Sequence, residues 1–250
     1  MSPLAILALA AAGFAAGAIN AVVGSGSLLT FPTLLALGYP PIVANVSNTV
    51  GVLFGSISAV VGYRRELVGQ RARVLSLGGP AIAGGLLGAI LLLALPGRVF
   101  PSVVPFLVLL AVILVLVQPR LGRLVAHRPG RPLGPWPLRA AVLLTGMYGG
   151  YFGAAQGVIY MGVLGVLLED TLQRLNGLKN LLSALVNAAA ALFFVLVAHV
   201  AWEAAGVIAV SSILGGQVGA VVARRLSPAL LRGVIVVGGL VVVVKLFSGR

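Results

Sequence analysis

The sequence predicts an all-α, polytopic membrane protein. It is read as two inverted repeats, each a broken or re-entrant helix pair plus three spanning helices, about eight to ten membrane segments in total. Three observations carry that expectation. Hydrophobic residues make up 60% of the 250-residue chain and charged residues 8%, with a mean hydropathy of +1.15; a soluble domain that apolar lacks the polar surface to cover itself. Residues 74–95, 99–117 and 234–246 with its upstream neighbours are apolar runs of spanning length. A pattern of glycines, prolines and amides also occurs twice. An outer-membrane barrel is excluded, because these runs lack the alternation of polar and apolar residues that barrel strands need.

The first repeat, residues 1–118, opens on a broken pair near 4–23 and 27–38. Stretch 15–48 is apolar enough for a membrane, yet it carries Asn20, Gly24-Ser25-Gly26-Ser27, Pro32, Pro40-Pro41, Asn45, Ser47 and Asn48. Glycine and proline clusters break helices, and buried amides demand partners. In hydrocarbon such backbone is tolerated only where protein covers it or it lines a cavity, so a polar cavity is expected here. Residues 1–23 lack the basic start of a cleaved signal peptide and run on into the glycine cluster. Helices follow near 41–63, 74–95 and 98–117. A basic connector spans 119–137. The second repeat, 138–250, has a broken pair near 138–155 and 157–168, then helices near 172–198, 204–223 and 228–247.

Charge orients the chain. Arg64, Arg65, Arg71 and Arg73 form one basic loop, and Arg120, Arg123, Arg128, Arg131 and Arg139 the central one; Arg174, Arg224, Arg225 and Arg232 complete the set. Placing these thirteen of the 17 basic residues on one side gives every helix consistent parity, and by the positive-inside rule that side is cytoplasmic. Arg98, Lys245 and Arg250 fall outside, and Lys179 within a helix. The expected location is the inner (plasma) membrane. A net charge of +13 suits these loops better than nucleic acid, which would want aromatic residues interleaved with the arginines.

The halves match at an offset of roughly 132 residues: Gly13, Gly17 and Gly24 with Gly146, Gly150 and Gly157, Asn48 with Asn180, Gly84, Gly85 and Gly88 with Gly215, Gly216 and Gly219, and Pro96 with Pro228. If each broken pair enters and leaves on one side, each half crosses an odd number of times and the copies are inverted. Inverted repeats with interrupted helices place substrate near the midplane between the repeats in secondary transporters.

Candidate substrate-binding residues follow from helical spacing. Asn176, Lys179, Asn180, Ser183 and Asn187 share one face. A lysine at membrane depth is expensive and faces a cavity or a partner, and an ammonium beside amide and hydroxyl donors suits a small oxyanion. The alternative is a snorkelling lysine helped by Glu169 or Asp170. The first half offers Asn45, Asn48, Thr49 and Ser56, whose ordinary use is hydrogen bonding between helices. At the breaks, Ser25, Gly26, Ser27 and Gln156 accompany half-helix N-termini whose free N–H groups would hold an anion; the alternative there is close packing. Tyr148, Tyr151 and Tyr160 flank the second break, with packing favoured over lining.

At these residues the chain resembles the sulfite exporter TauE/SafE family of membrane permeases over nearly its whole length. The resemblance rests on 17–32, Leu34-Leu35-Ala36-Leu37-Gly38, 44–48, Gly149-Gly150, Gly157 and Leu178-Lys179-Asn180. The break here carries serines where the family often has a longer glycine run. The resemblance implies export of sulfite or small organosulfur anions such as sulfoacetate.

The expected function is therefore a secondary transporter exporting a small oxyanion, sulfite or an organosulfonate, by alternating access, with the lipid bilayer as its other partner and no cofactor. The absence of a Walker motif argues against direct use of ATP. With no cysteine, four carboxylates and two separated histidines, metal sites and thiol chemistry are not expected. An anion channel is the first alternative. An intramembrane enzyme built on Ser183 and Lys179 is the second, without a clear oxyanion hole to support it.

Overall fold

A computed structural model describes residues 1–127 and 134–222, together with 233, 236 and 237. Beyond those three positions the expected helix at 228–247 lies outside the described residues, as do Arg128, Arg131, Arg224, Arg225 and Arg232. The described residues form nine helices and no strand: α1 (Pro3–Val22), α2 (Ser27–Ala36), α3 (Pro41–Gly62), α4 (Arg71–Ala94), α5 (Val99–His127), α6 (Pro135–Tyr151), α7 (Gln156–Leu167), α8 (Leu172–Val197) and α9 (Trp202–Val222). The protein is thus all-helical and multi-pass. Five of these helices contain stretches long and apolar enough to cross a membrane, namely α1, α3, α4, α8 and Val99–Pro119 of α5. The short apolar helices α2 and α7 stand where the broken pairs were expected.

The boundaries differ instructively from the sequence reading. α5 continues ten residues beyond 117, so the start of the basic stretch is helical. Proline is expected to end a helix, yet Pro119 sits inside α5. α4 begins at Arg71, taking two loop arginines into its first turn. The second break occupies residues 152–155, a turn's length with left-handed backbone at Gly153 (φ +77°) and Ala155 (φ +58°). In the first, Gly24 is left-handed at φ +81°, and the N–H groups of Val23 and Gly24 both return to the Ile19 carbonyl. Phe152 and Gly153 return to Tyr148 in the same way. The helix-ending counterpart of Gly24 is therefore Gly153, not the Gly157 that sequence alignment selects, because α6 stops one turn earlier than α1.

Contacts along the helices give their directions. Gly13 meets Ser211 and Ile208, Gly17 meets Ser212 and Gly216, and Ala18 meets Gly219, so α1 and α9 run parallel. Gly84 meets Leu143 and Gly88 meets Tyr151, making α4 and α6 parallel too. Both pairs approach backbone to backbone through glycines, the small-residue packing that membrane helices use in place of a hydrophobic driving force. α3 follows α9, with Gly51 on Ile208 and Gly55 on Ser212. α3 and α8 run antiparallel: Ser56 bonds Asn187, while the end of α3 at Tyr63 reaches Gly177. α1, α3 and α9 thus point one way, and α8 the other.

Large apolar side chains face outward along the spans, among them Leu87, Leu110, Ile113, Leu192 and Leu196, as lipid-facing positions should. Inside, an aromatic cluster locks the breaks to α5: Phe31, Phe100 and Phe152 stack edge to face, with centroids 5.3–6.4 Å apart. Arginines collect at one end. There Asp170 accepts from Arg73 and from Arg174, Arg174 also donates to the Val68 carbonyl at 2.9 Å, and Gln70 donates to the carbonyls of Glu66 and Arg174. This network joins the α3–α4 loop to the start of α8. Burial pushes the Asp170 carboxyl up, but the hydrogen bonds from Arg73, the Thr171 N–H and Arg174 outweigh it and hold the group below the usual carboxylate range.

Candidate anion site

The site starts from a requirement of the fold. A helix that ends inside a membrane leaves carbonyls without partners, and no water is there to take them. α1 ends at Val22, and α8 supplies the missing donors. Lys179 Nζ donates to the Asn20 carbonyl at 3.3 Å. Asn180 Nδ2 donates to the Ala21 carbonyl at 3.1 Å, and Asn176 Nδ2 to the same oxygen at 3.4 Å. Two turns further along α8, Ser56 Oγ accepts from Asn187 at 3.0 Å and from the Asn20 side chain at 3.2 Å. Three of the five residues expected on the α8 face therefore meet the end of α1 directly, and Asn187 is linked to it through Ser56. Ser183 lies on the same face, but its buried Oγ has no hydrogen-bond partner among the described residues.

The other half performs the matching task with different side chains. Asn45 Nδ2 donates to the Tyr151 carbonyl, the last of α6, at 2.9 Å. Counting from the helix starts, Pro41 and Leu172, places Asn45 opposite Asn176, Asn48 opposite Lys179, Thr49 opposite Asn180 and Ser56 opposite Asn187. Lys179 thus corresponds to Asn48, one position from the Asn48–Asn180 match of the sequence reading. Asn48 accepts a short hydrogen bond of 2.5 Å from Thr30, and Thr49 bonds back to the Asn45 carbonyl of its own helix. Of the first-half set, Ser56 joins the α8 face through Asn20 and Asn187, whereas the bonds of Asn45, Asn48 and Thr49 go to Tyr151, to Thr30 and within α3.

Lys179 is 0% exposed, and no ion pair among the described residues engages it. Of the two partners that a snorkelling lysine would have, Asp170 is taken by Arg73 and Arg174, and Glu169 is exposed ahead of the start of α8. Lys179 stands eighth in α8, about 10 Å from that helix's start at a rise of about 1.5 Å per residue. That is nearer the arginine-bearing end than the expected midplane.

The breaks themselves touch. Gly157 donates its N–H to the Gly24 carbonyl at 3.0 Å, and a Cβ on either glycine would collide with the other's backbone. Free backbone donors were expected at the half-helix starts. At α7 the N–H groups of Gln156, Gly157, Val158 and Ile159 all have backbone acceptors, so none is free there; at α2 those of Leu28 and Leu29 do, while among the described residues no backbone acceptor takes the N–H groups of Ser25, Gly26 and Ser27. Gly26 packs on the Ala16 carbonyl and Gln156 on Gly149, while Ser27 is half-buried at the start of α2. Ser25 Oγ, Gln156 Nε2 and Asn176 Oδ1 are buried without partners among the described residues. Tyr148 donates to the Ala154 carbonyl at 2.6 Å, bracing the second break. Asn20, which sequence reasoning left out of the site, is central to it. Its signal was a lone amide one turn before a glycine break.

Among the described residues no group of histidine and carboxylate side chains could hold a metal ion. The chain is 31% identical over 98% of its length to "Probable membrane transporter protein YfcA" of Escherichia coli strain K12, covering 91% of that protein. It is 28% identical over 98% to "Probable membrane transporter protein ORF9" of Sinorhizobium sp, covering 92% of it. A "Probable membrane transporter protein" of Haemophilus influenzae matches at 27% over 94% of this chain and 91% of its own. No solved structure matches significantly. The family model described as "Sulfite exporter TauE/SafE" matches residues 9–246, and the chain belongs to that family.

Proposed function

We propose that the protein is a secondary transporter that exports a small anion, sulfite or an organosulfonate, by alternating access at a site between its two halves. The observation that carries this reading is the charge at Lys179. Capping a broken helix inside the membrane needs only amide donors, as Asn45 does for α6. On α1, Asn176 and Asn180 cap the Ala21 carbonyl and Lys179 the Asn20 carbonyl; an amide could fill that last role too, so the charge of a buried ammonium is more than structure requires and its cost points to a ligand. Lys179 spends one of its three donors on Asn20. Ser25, Ser183 and Gln156 hold further donors without partners.

The opposed directions of α3 and α8, and the exchanged caps of α1 and α6, support an inverted relation between the halves. The arginine-bearing end is assigned to the cytoplasm of an inner-membrane protein by the positive-inside rule. The Asp170 network ties that end shut across the two halves, and Lys179 is closed to solvent, as in an occluded carrier. With the inside negative, export of each negative charge gains about 2.3 kcal/mol per 100 mV.

Counterflow in proteoliposomes tests the carrier. Vesicles loaded with unlabelled sulfite should transiently accumulate labelled sulfite above its equilibrium level. Flux without overshoot would mean a channel, and no flux for sulfite or any sulfonate would remove the anion assignment.

A further inference from the structure

We infer that the site selects singly charged oxyanions over doubly charged ones of the same size, a conclusion that rests on the anion site proposed above. The charges around Lys179 set this preference. Of the chain's four carboxylates, Asp170 is held by Arg73 and Arg174, Glu203 and Glu169 are near the ends of α9 and α8, and Glu66 lies against Gly177. None bonds Lys179, whose hydrogen bond goes to a neutral backbone carbonyl. The helix ends nearby come in opposing pairs. α1 ends and α2 begins at the first break, and α6 ends and α7 begins at the second; the two breaks meet at Gly24 and Gly157. A helix C-terminus carries about half a negative charge and an N-terminus about half a positive one, so each break cancels to first order. What remains is the one formal charge of Lys179.

One negative charge therefore neutralises the site, and a second meets no cation, only the neutral donors of Ser25, Ser183 and Gln156. It would face the Asn20 and Ala21 carbonyls and the unpartnered Asn176 Oδ1, all acceptors that repel it. A buried charge without a partner is expelled or protonated. Hydrogen sulfite and alkylsulfonates fit this count, whereas sulfate and sulfoacetate at neutral pH exceed it by one.

Thermal unfolding of the purified intact protein in detergent, titrated with sodium methanesulfonate or sodium sulfate at matched ionic strength and neutral pH, tests the inference. The two anions are tetrahedral and similar in size, and differ in charge. The expected result is stabilisation by methanesulfonate at concentrations at least tenfold below those needed for sulfate, lost in Lys179→Gln and kept in Lys179→Arg. Equal potency of the two anions, with the response still lost in Lys179→Gln, would overturn the charge selection and leave the anion site standing. No response to either anion, or one unchanged in Lys179→Gln, would overturn both. The wild-type comparison decides the charge question even if a variant fails to fold.

Discussion

Replacing Gly157 by alanine should push the two breaks apart, and its cost can be worked from the contact. The new Cβ would stand 2.5 Å from Gly24 Cα and 3.1 Å from the Gly24 carbonyl oxygen. Carbon atoms rest at about 3.5–4.0 Å, so the backbones must separate by about 1 Å. Overpacking of this kind costs about 1–3 kcal/mol. Stretching the hydrogen bond from Gly157 to Gly24, now 3.0 Å, adds about 1 kcal/mol. Gly24→Ala meets the same collision and also forces alanine into left-handed backbone at φ +81°, for about 1–2 kcal/mol more. Equilibrium unfolding in mixed micelles should therefore show Gly157→Ala destabilised by about 2–4 kcal/mol and Gly24→Ala by more. The double variant should cost less than the sum, because one separation accommodates both methyl groups. If Gly157→Ala unfolds like wild type, or the two losses add fully, the breaks are not in contact and the site lacks its frame.

Three further outcomes follow from the same geometry. Lys179→Met should abolish transport with little net change in unfolding stability, since removing a buried charge without a counter-ion offsets the roughly 1–3 kcal/mol cost of leaving the Asn20 carbonyl without its donor; a loss beyond about 3 kcal/mol on denaturant titration would make the lysine structural instead. Ala155→Gly should stay within about 1 kcal/mol of wild type, because relief of left-handed backbone at a residue other than glycine is offset by loss of a fully buried methyl and a freer unfolded chain, and a thermal shift measures it. Asp170→Asn should loosen the arginine-bearing end and cost about 1–3 kcal/mol. Because the carboxyl is held low when folded, the stability it contributes is present above the ordinary carboxylate pKa of about 4 and is lost as pH falls through and below it. A wild-type pH titration of stability should therefore be steeper on the acid side than that of Asp170→Asn.

Much of the fold was legible because membrane helices announce themselves by length and apolarity, and because glycine clusters at Gly24 and Gly157 mark breaks. The α8 polar face was legible for the same reason: helical spacing fixes which residues share a side. What those residues do was not, since capping of α1 by Asn176 and Asn180 depends on a helix that ends some 155 residues earlier in the chain. Glycines and helix starts give registers between the halves that differ by one position, Asn48 matching Asn180 by the first and Lys179 by the second. α6 ends a turn before its counterpart, and only the hydrogen bonds to Tyr148 reveal it. The free N–H groups expected at α7 were already spent on Gly24, Gly153 and Ala155, a long-range and local pairing that no sequence spacing encodes.

The central claim is that Lys179 holds the exported anion. It is tested most directly by the initial rate of labelled sulfite uptake into proteoliposomes containing equal amounts of folded wild type, Lys179→Gln and Lys179→Arg. The account predicts loss of at least nine-tenths of the rate in Lys179→Gln, roughly the tenfold worth of about 1.4 kcal/mol of lost charge-assisted binding, with substantial recovery in Lys179→Arg. Uptake by Lys179→Gln at the wild-type rate would contradict it.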